Sequence, residues 1–143
     1  MENIKEVIFY TLENSIKTYR QFAQKNINEA GLDITIDQWL VMKVIEENSE
    51  HKQNEVADKV FKDSASITRI IDLLIKKGFL ERDIHSNDRR RTALNLTKKG
   101  KVILEKAEKI VSANRKQALK GIDEKKINEL RTTLNTIIYN CRK

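Results

Sequence analysis

The sequence predicts a mainly α-helical fold with one small β-hairpin, and three features support this prediction. The 143 residues contain no proline and only four glycines, so helices can run long and the glycines mark where they end. Apolar residues recur at intervals of three or four along most of the chain, which is the period of an amphipathic helix. Between Phe79 and Leu96 this period gives way to the pattern of two short strands.

The predicted helices begin at residues that favour helix starts. Thr35, Thr97 and Asp123 are expected to cap the second, fifth and sixth helices with their side-chain oxygens, and the fourth begins at Asp63 or Ser64. Glycines follow the first, fourth and fifth helices, as is typical of helix C-termini. The first predicted helix covers residues 2–28, the second follows residue 35, and the third covers 53–60. The fourth ends at residue 78, and two strands then flank a polar turn at 85–88. The fifth helix runs from 97 to about 120, and the sixth follows residue 123.

This order of elements predicts a winged helix-turn-helix core over residues 35–100, flanked by terminal helices in residues 1–34 and 101–143. The terminal helices carry more apolar surface than a winged domain of about 65 residues could cover. We therefore expect them to be dimerisation helices that pair two chains into a homodimer, with burial inside one chain as the alternative. The residues expected at the dimer contact are Ile4, Ile8, Leu12, Leu130, Leu134, Ile137 and Ile138.

The fourth helix has the composition of a helix that enters a DNA major groove. Its apolar stripe, formed by Ile67, Ile70, Ile71 and Leu74, is expected to be buried. Little bulk at the helix N-terminus, hydrogen-bonding side chains and an arginine are what base and phosphate contacts need. A polar, solvated face without a partner is the alternative interpretation. The residues expected to face DNA are Ser64, Ala65, Ser66, Thr68 and Arg69.

The tip of the predicted hairpin is strongly basic. Arg89, Arg90 and Arg91 follow Asp88 directly. Residues 76–99 contain eight basic and three acidic side chains, and this excess of positive charge accounts for most of the net charge of +7. A hairpin can insert arginine into a narrow minor groove, and Asp88 would orient Arg90 there. A solvated charge run is the alternative, but its position just after a helix-turn-helix favours binding to double-stranded DNA.

Other function classes receive little support. The single cysteine, Cys141, and two separated histidines form no metal set, and nothing approaches a catalytic constellation, so we expect neither enzyme activity nor a cofactor. The acidic N-terminus and the absence of an apolar run of about 18 residues predict a cytoplasmic protein without a membrane partner. A winged helix that binds proteins rather than DNA remains the alternative function.

Residues 35–100 resemble the multiple-antibiotic-resistance regulator (MarR) family of transcriptional regulators. The matching segments are ITIDQWLVMKVI, QNEVADKV, SASITRIIDLLIKKGFLER, NDRRR and LNLTKKG. The resemblance implies a triangular homodimer in which the first, fifth and sixth helices interleave. It also implies a repressor that reads a pseudo-palindromic operator, with the fourth helix in the major groove and the wing in the minor groove. One departure is Lys52, where many members place Ser or Thr as the third-helix cap. The hairpin signature falls on Asp88, Arg90, Leu96, Thr97 and Gly100.

Regulators that resemble this family often release DNA when a small aromatic or anionic effector binds between the dimer region and the DNA-binding lobe. Tyr10, Trp39 and Met42 are candidates to line such a pocket, because flat and adaptable apolar side chains suit aromatic ligands. Core packing is the alternative role for Trp39 and Met42, since both lie on the apolar face of the second helix.

Overall fold

The computed structural model describes residues 2–48, 52–84 and 92–142. Within these residues the chain is mainly α-helical with one antiparallel hairpin, which confirms the predicted fold class. The elements are a 3₁₀ turn Ile4–Glu6, α1 Ile8–Glu29, α2 Ile36–Glu47, α3 Gln53–Lys59, α4 Ser64–Lys76, β1 Leu80–Ile84, β2 Thr92–Leu96, α5 Lys98–Ala118 and α6 Glu124–Cys141.

The predicted helix caps are confirmed. The side chains of Thr35, Asp63, Thr97 and Asp123 each accept a hydrogen bond from a backbone N–H three residues further on, at 2.7–3.0 Å. At α3 the Lys52 side chain makes no capping bond, and Glu55 Oε1 instead accepts from the Lys52 N–H at 3.3 Å. The start of α3 therefore has only part of the usual capping, as the departure at Lys52 predicts.

The first helix is not continuous from residue 2, which corrects the prediction. Val7 has an extended backbone (φ −74°, ψ 119°) and separates the 3₁₀ turn from α1. The Asn3 side chain accepts from the Lys5 N–H at 3.2 Å, and Glu6 accepts from the Asn3 N–H at 3.4 Å. Such local side-chain bonds compete with helix formation, and apolar spacing alone does not report them.

A single hydrophobic core holds α4 in place. Ile67, Ile71 and Leu74 are fully buried, as predicted, whereas Ile70 is only half-buried. They belong to the same cluster as side chains from α2, α3 and β1, with α5 contributing Leu104. The face of α4 opposite this stripe is therefore fixed in space and directed outward.

The hairpin is anchored where it meets α5. Leu80 pairs with Leu96 at the base of the two strands. Thr97 Oγ1 donates to the Gly78 carbonyl at 2.5 Å, and a Cβ at Gly100 would lie 2.1 Å from the Phe79 carbonyl oxygen. The first turn of α5 can pack this closely against the start of β1 only because residue 100 has no side chain.

The terminal segments leave large apolar side chains exposed. Against the described parts of the chain, α6 buries none of its residues, although Leu130 and Ile138 lie on its apolar stripe. At the other end, Ile4 is 61% exposed and Ile8 is 58% exposed. Among the described residues these two surfaces stay largely exposed, although they have the amphipathic pattern of packed helices.

Candidate nucleic-acid interface

The N-terminal turn of α4 presents small, polar side chains to solvent. Ser64 and Ala65 are exposed, and Asp63 before them accepts the Ser66 backbone N–H at 2.7 Å. This backbone hydrogen bond, assisted by the Ser66 side chain, holds the pKa of Asp63 below its usual value. The turn therefore has little bulk, and a firm local structure fixes where it begins.

Two further contacts order the second turn of α4. Thr68 Oγ1 donates to the Ser64 carbonyl at 2.9 Å and accepts from Gln53 Nε2 of α3 at 2.8 Å. The Arg69 guanidinium donates to Ser66 Oγ at 3.3 Å, and both Thr68 and Arg69 are exposed. Because the Thr68 hydroxyl is already engaged, its methyl group and Arg69 are the parts best suited to reach a base edge.

A three-residue ion network lies beside the turn that leads into α4. Asp37, in the first turn of α2, pairs through Oδ1 with Arg20 of α1 at 2.5 Å and through Oδ2 with Lys62 at 3.1 Å. Burial by itself would raise the pKa of Asp37, but the hydrogen bonds and charges of Arg20 and Lys62 outweigh burial and lower it. Asp37 thus stays ionised at neutral pH, and the network would weaken only in acid, as the pH falls through the lowered pKa of Asp37.

Several basic residues near the hairpin have structural partners. Lys77 is 19% exposed in its side chain and donates to Asp33 and Gln38, which ties the end of α4 to the start of α2. Lys99 donates to the Lys77 carbonyl at 3.0 Å, and Arg82 pairs with Asp72 at 3.4 Å. The charge count over residues 76–99 therefore overstates the positive charge that is available to phosphates in this region.

The predicted wing residues Asp88, Arg89, Arg90 and Arg91 lie outside the described residues. β1 is described up to Ile84 and β2 from Thr92 onward, and these two residues are partners in the hairpin register. The assignment of Asp88, Arg89, Arg90 and Arg91 to a wing stays a prediction.

A cavity of about 210 Å³ lies between α1, α2 and α5. Its walls are mainly apolar, and Trp39, Arg20 and Arg115 are among the residues that line it. Arg115 lies over the Trp39 ring, 5.6 Å from its centroid. Trp39 is 6% exposed, and its Nε1 has no hydrogen-bond partner among the described residues. A buried donor without a partner costs about 1–3 kcal/mol, and a ligand acceptor could recover this.

The structure does not bring the three predicted effector residues together, and this corrects the prediction. Trp39 lines the cavity, but Met42 is fully buried in the core and is not among the lining residues. Tyr10 lines a different depression, beside Glu13 and Lys17. Trp39 and Met42 are three residues apart and therefore lie on the same face of α2. That face borders both the core, in which Met42 is buried, and the cavity, which Trp39 lines.

Sequence reasoning missed Arg20 and Arg115 as cavity residues. Each belongs to a long helix in which most other charged residues are exposed, and the spacing along the chain does not distinguish an arginine at a cavity from one in water. The apolar stripe of α1 through Ile16 and Ile27, which also line the cavity, was the available signal.

Comparison with known proteins identifies the domain that carries α4 and the hairpin. Residues 34–92 match the model of the MarR family. This match spans α2, α3, α4 and β1, and over these residues the chain is similar to the MarR family.

Other similarities extend over nearly the whole length of the chain. It is 22% identical over 132 residues to the HTH-type transcriptional repressor IacR of Pseudomonas putida, covering 92% of this chain and 78% of that protein. Its fold is similar to CouR of Rhodococcus jostii RHA1 bound to p-coumaroyl-CoA, with a TM-score of 0.83, 22% identity, and 96% of this chain and 95% of that chain covered. The fold also resembles Bordetella bronchiseptica BpsR, whose DNA binding is regulated by 6-hydroxynicotinic acid (TM-score 0.85, 16% identity, 96% of each chain).

The family match and the repressor relative confirm the function predicted from the sequence, that of a DNA-binding transcriptional regulator. In the described parts of the chain, no helix has the length and apolarity that crossing a membrane requires.

Proposed function

We propose that this regulator acts as a homodimeric repressor that binds an inverted repeat and leaves it when a small planar anion occupies the cavity. The observation that carries the proposal is the exposed start of α4, where Ser64 and Ala65 in the first turn and Arg69 in the second are exposed, while Ile67, Ile71 and Leu74 are fully buried. A protruding helix of this kind fits a major groove, and its backbone N–H groups favour phosphate oxygens.

The exposed terminal segments support the dimer. Leu130 and Ile138 on α6, and Ile4 and Ile8 before and at the start of α1, form apolar surface that a second chain would cover. In this arrangement residues 1–34 and 101–143 form the dimer region, and residues 35–100 bind DNA. Two chains related by a twofold axis would place two copies of α4 in successive major grooves.

The wing would add affinity rather than base discrimination. Arg89, Arg90 and Arg91 would reach the minor groove beside the site of α4, with Asp88 orienting Arg90. Arginine in a narrow minor groove responds mainly to groove width and potential, so this contact contributes to binding of many sequences.

The size and lining of the cavity favour a ligand with one aromatic ring and a carboxylate. A volume of about 210 Å³ accommodates one ring, and Arg20 and Arg115 supply positive charge at its walls. A flat ring beside Trp39 and a carboxylate at a guanidinium are favourable pairings. The relation to BpsR, which responds to an aromatic acid, points to the same class of ligand for this chain. Binding without chemical turnover is all that this role requires.

The proposal predicts different defects for the wing and for α4. In gel-shift titrations on the region upstream of the protein's own gene, Arg90→Ala should weaken binding to that DNA and to random duplex alike, by about 1–3 kcal/mol. Ser66→Ala combined with Thr68→Ala should instead reduce the ratio of operator to random-duplex affinity, because base contacts specify. Lys25→Ala removes one exposed charge from α1 and serves as the control.

Three outcomes contradict parts of this proposal. If the Arg90→Ala protein binds DNA with wild-type affinity, the wing contact is ruled out. If the ratio of operator to random-duplex affinity is unchanged in the double variant, another element reads the bases. Absence of binding to any duplex by the wild-type protein would favour a winged helix that binds proteins. Adding 6-hydroxynicotinate to the titrations tests release by an aromatic acid.

A further inference from the structure

Arg20 belongs to two structures at once. Its side chain lines the cavity between α1, α2 and α5, and its guanidinium also pairs with Asp37 Oδ1 at 2.5 Å. The Arg20 side chain is 40% exposed and that of Asp37 is 29% exposed, so the pair is partly shielded from water. A partly buried ion pair is screened less by salt and is more sensitive to a competing charge than a surface pair.

Asp37 connects Arg20 to the start of α4. Its second oxygen, Oδ2, accepts Lys62 Nζ at 3.1 Å. Lys62 directly precedes Asp63, the residue that caps α4, and its backbone N–H donates to the Ala57 carbonyl at 2.9 Å. One carboxylate therefore links α1, α2 and the turn between α3 and α4.

We infer that Arg20, Asp37 and Lys62 form a relay through which an anion in the cavity changes the position of the recognition helix α4. A ligand carboxylate competes with Asp37 for the Arg20 guanidinium. When Arg20 turns to the ligand, Asp37 keeps Lys62 as its only cation among these three residues, and the tie between α1 and the turn before α4 is lost. The two copies of α4 in a dimer then no longer have the spacing that the operator requires.

This inference rests on the proposed function, because it names how occupancy of the same cavity is transmitted. It goes further in assigning the transmission to one carboxylate and in making it testable without a ligand. Arg20 lies on α1 and is not among the residues proposed to face DNA, so any effect of its loss on DNA affinity has to travel through the protein.

The test compares Arg20→Met with the matched control Lys17→Met. The control also removes one positive charge from α1, three residues earlier in the chain. In the described ion pairs, Lys17 contacts only Glu13. Each variant is titrated against the duplex bound by the wild-type protein, with sedimentation to verify the oligomeric state. Arg20→Met should lose at least about five-fold more affinity than Lys17→Met, the lower end of typical coupling between sites. Asp37→Asn should show a similar loss, and the double variant should lose no more than the larger single loss.

A ligand arm uses Trp39, the only tryptophan of the chain, as a fluorescent reporter. If 6-hydroxynicotinate changes the Trp39 emission of wild type and of Asp37→Asn but shifts DNA affinity in the wild type alone, the relay is supported. An equal shift of DNA affinity in both proteins overturns the relay.

The comparison of DNA affinities among the variants tests the relay whether or not 6-hydroxynicotinate binds. A loss in Arg20→Met below five-fold relative to Lys17→Met, or a double variant whose loss equals the product of the single losses, overturns the relay and leaves the proposed function intact. If the wild-type protein binds no duplex, both proposals fail.

Discussion

At Phe61, in the turn between α3 and α4, the backbone adopts φ +61°, although most side chains disfavour this region. The side chain is 88% exposed, so burial does not compensate for the conformation within the chain. The turn needs a left-handed residue because the Lys62 N–H must return to the Ala57 carbonyl before α4 begins. The sequence carries no glycine here, and nothing in the residue type predicts the turn.

Replacing Phe61 by glycine should therefore stabilise the protein. Glycine adopts positive φ without the Cβ clash, and we expect the free energy of unfolding to rise by up to about 1 kcal/mol. Phe61→Ala keeps the Cβ and is the control, since it removes the same ring without relieving the backbone. Thermal or urea denaturation of the three proteins measures the difference. Equal stability of the Gly and Ala variants would mean that the turn stores no strain.

For some other residues the sequence predicted the structural role correctly, and for others it did not. The Thr35 and Thr97 caps were predictable because a cap and its N–H partner are three residues apart. Met42 was a candidate for the effector pocket, with core packing as the alternative, and Arg20 was not a candidate, because the choice between core, cavity and solvent depends on what packs against a helix face. That information lies in distant segments.

At the scale of elements, the connection between the hairpin and α5 depends on close backbone packing. The first turn of α5 lies against Phe79, and the Thr97 hydroxyl bonds to the Gly78 carbonyl. These contacts set the angle at which the strands leave the core. The Gly100 position of the family signature is thus explained by packing rather than by backbone conformation.

Gly100→Ala should consequently destabilise the protein and displace the wing. The new Cβ would lie 2.1 Å from the Phe79 carbonyl oxygen, which is backbone and cannot swing aside. Overpacking of this kind costs about 1–3 kcal/mol. Lys98→Ala, in the same turn but exposed, is the control. Urea denaturation measures the loss, and a Gly100→Ala protein as stable as the control would show that α5 can move away at no cost.

At the scale of the whole molecule, the apolar surface of α6 has to be covered. Leu134 is half-buried and Ile138 is 46% exposed in a single chain, so a second chain is the expected cover. If the chains pair about a twofold axis, the preferred DNA site should be an inverted repeat with half-site centres about 10 base pairs apart.

Leu134→Glu combined with Ile138→Glu should break the proposed dimer and abolish tight DNA binding. Each carboxylate would be buried without a partner in the dimer, at a cost of several kcal/mol. Thr132→Glu with Thr136→Glu puts the same charges at the same spacing on another face of α6 and should leave the dimer intact. Sedimentation and footprinting on the same samples provide the measurements. A wild-type monomer that protects one half-site would contradict the dimer.

The sequence by itself determined the order of helices and strands, their caps and the outward face of α4. These features depend on hydrogen bonds between residues a few positions apart and on the period of apolar side chains. Both are properties of short segments of the sequence. The break at Val7 is an exception, since the bonds around Asn3 are local but leave the apolar period almost unchanged.

The tertiary structure decided which charged residues pair with one another and which of them line the cavity. Arg20 and Asp37 are 17 residues apart, and Lys77 and Asp33 are 44 apart, so their pairing appears only once the helices have packed. The same packing created the cavity beside Trp39 and left Nε1 without a partner among the described residues. Long-range contacts depend on the relative positions of whole helices, which the buried core fixes and no local pattern encodes.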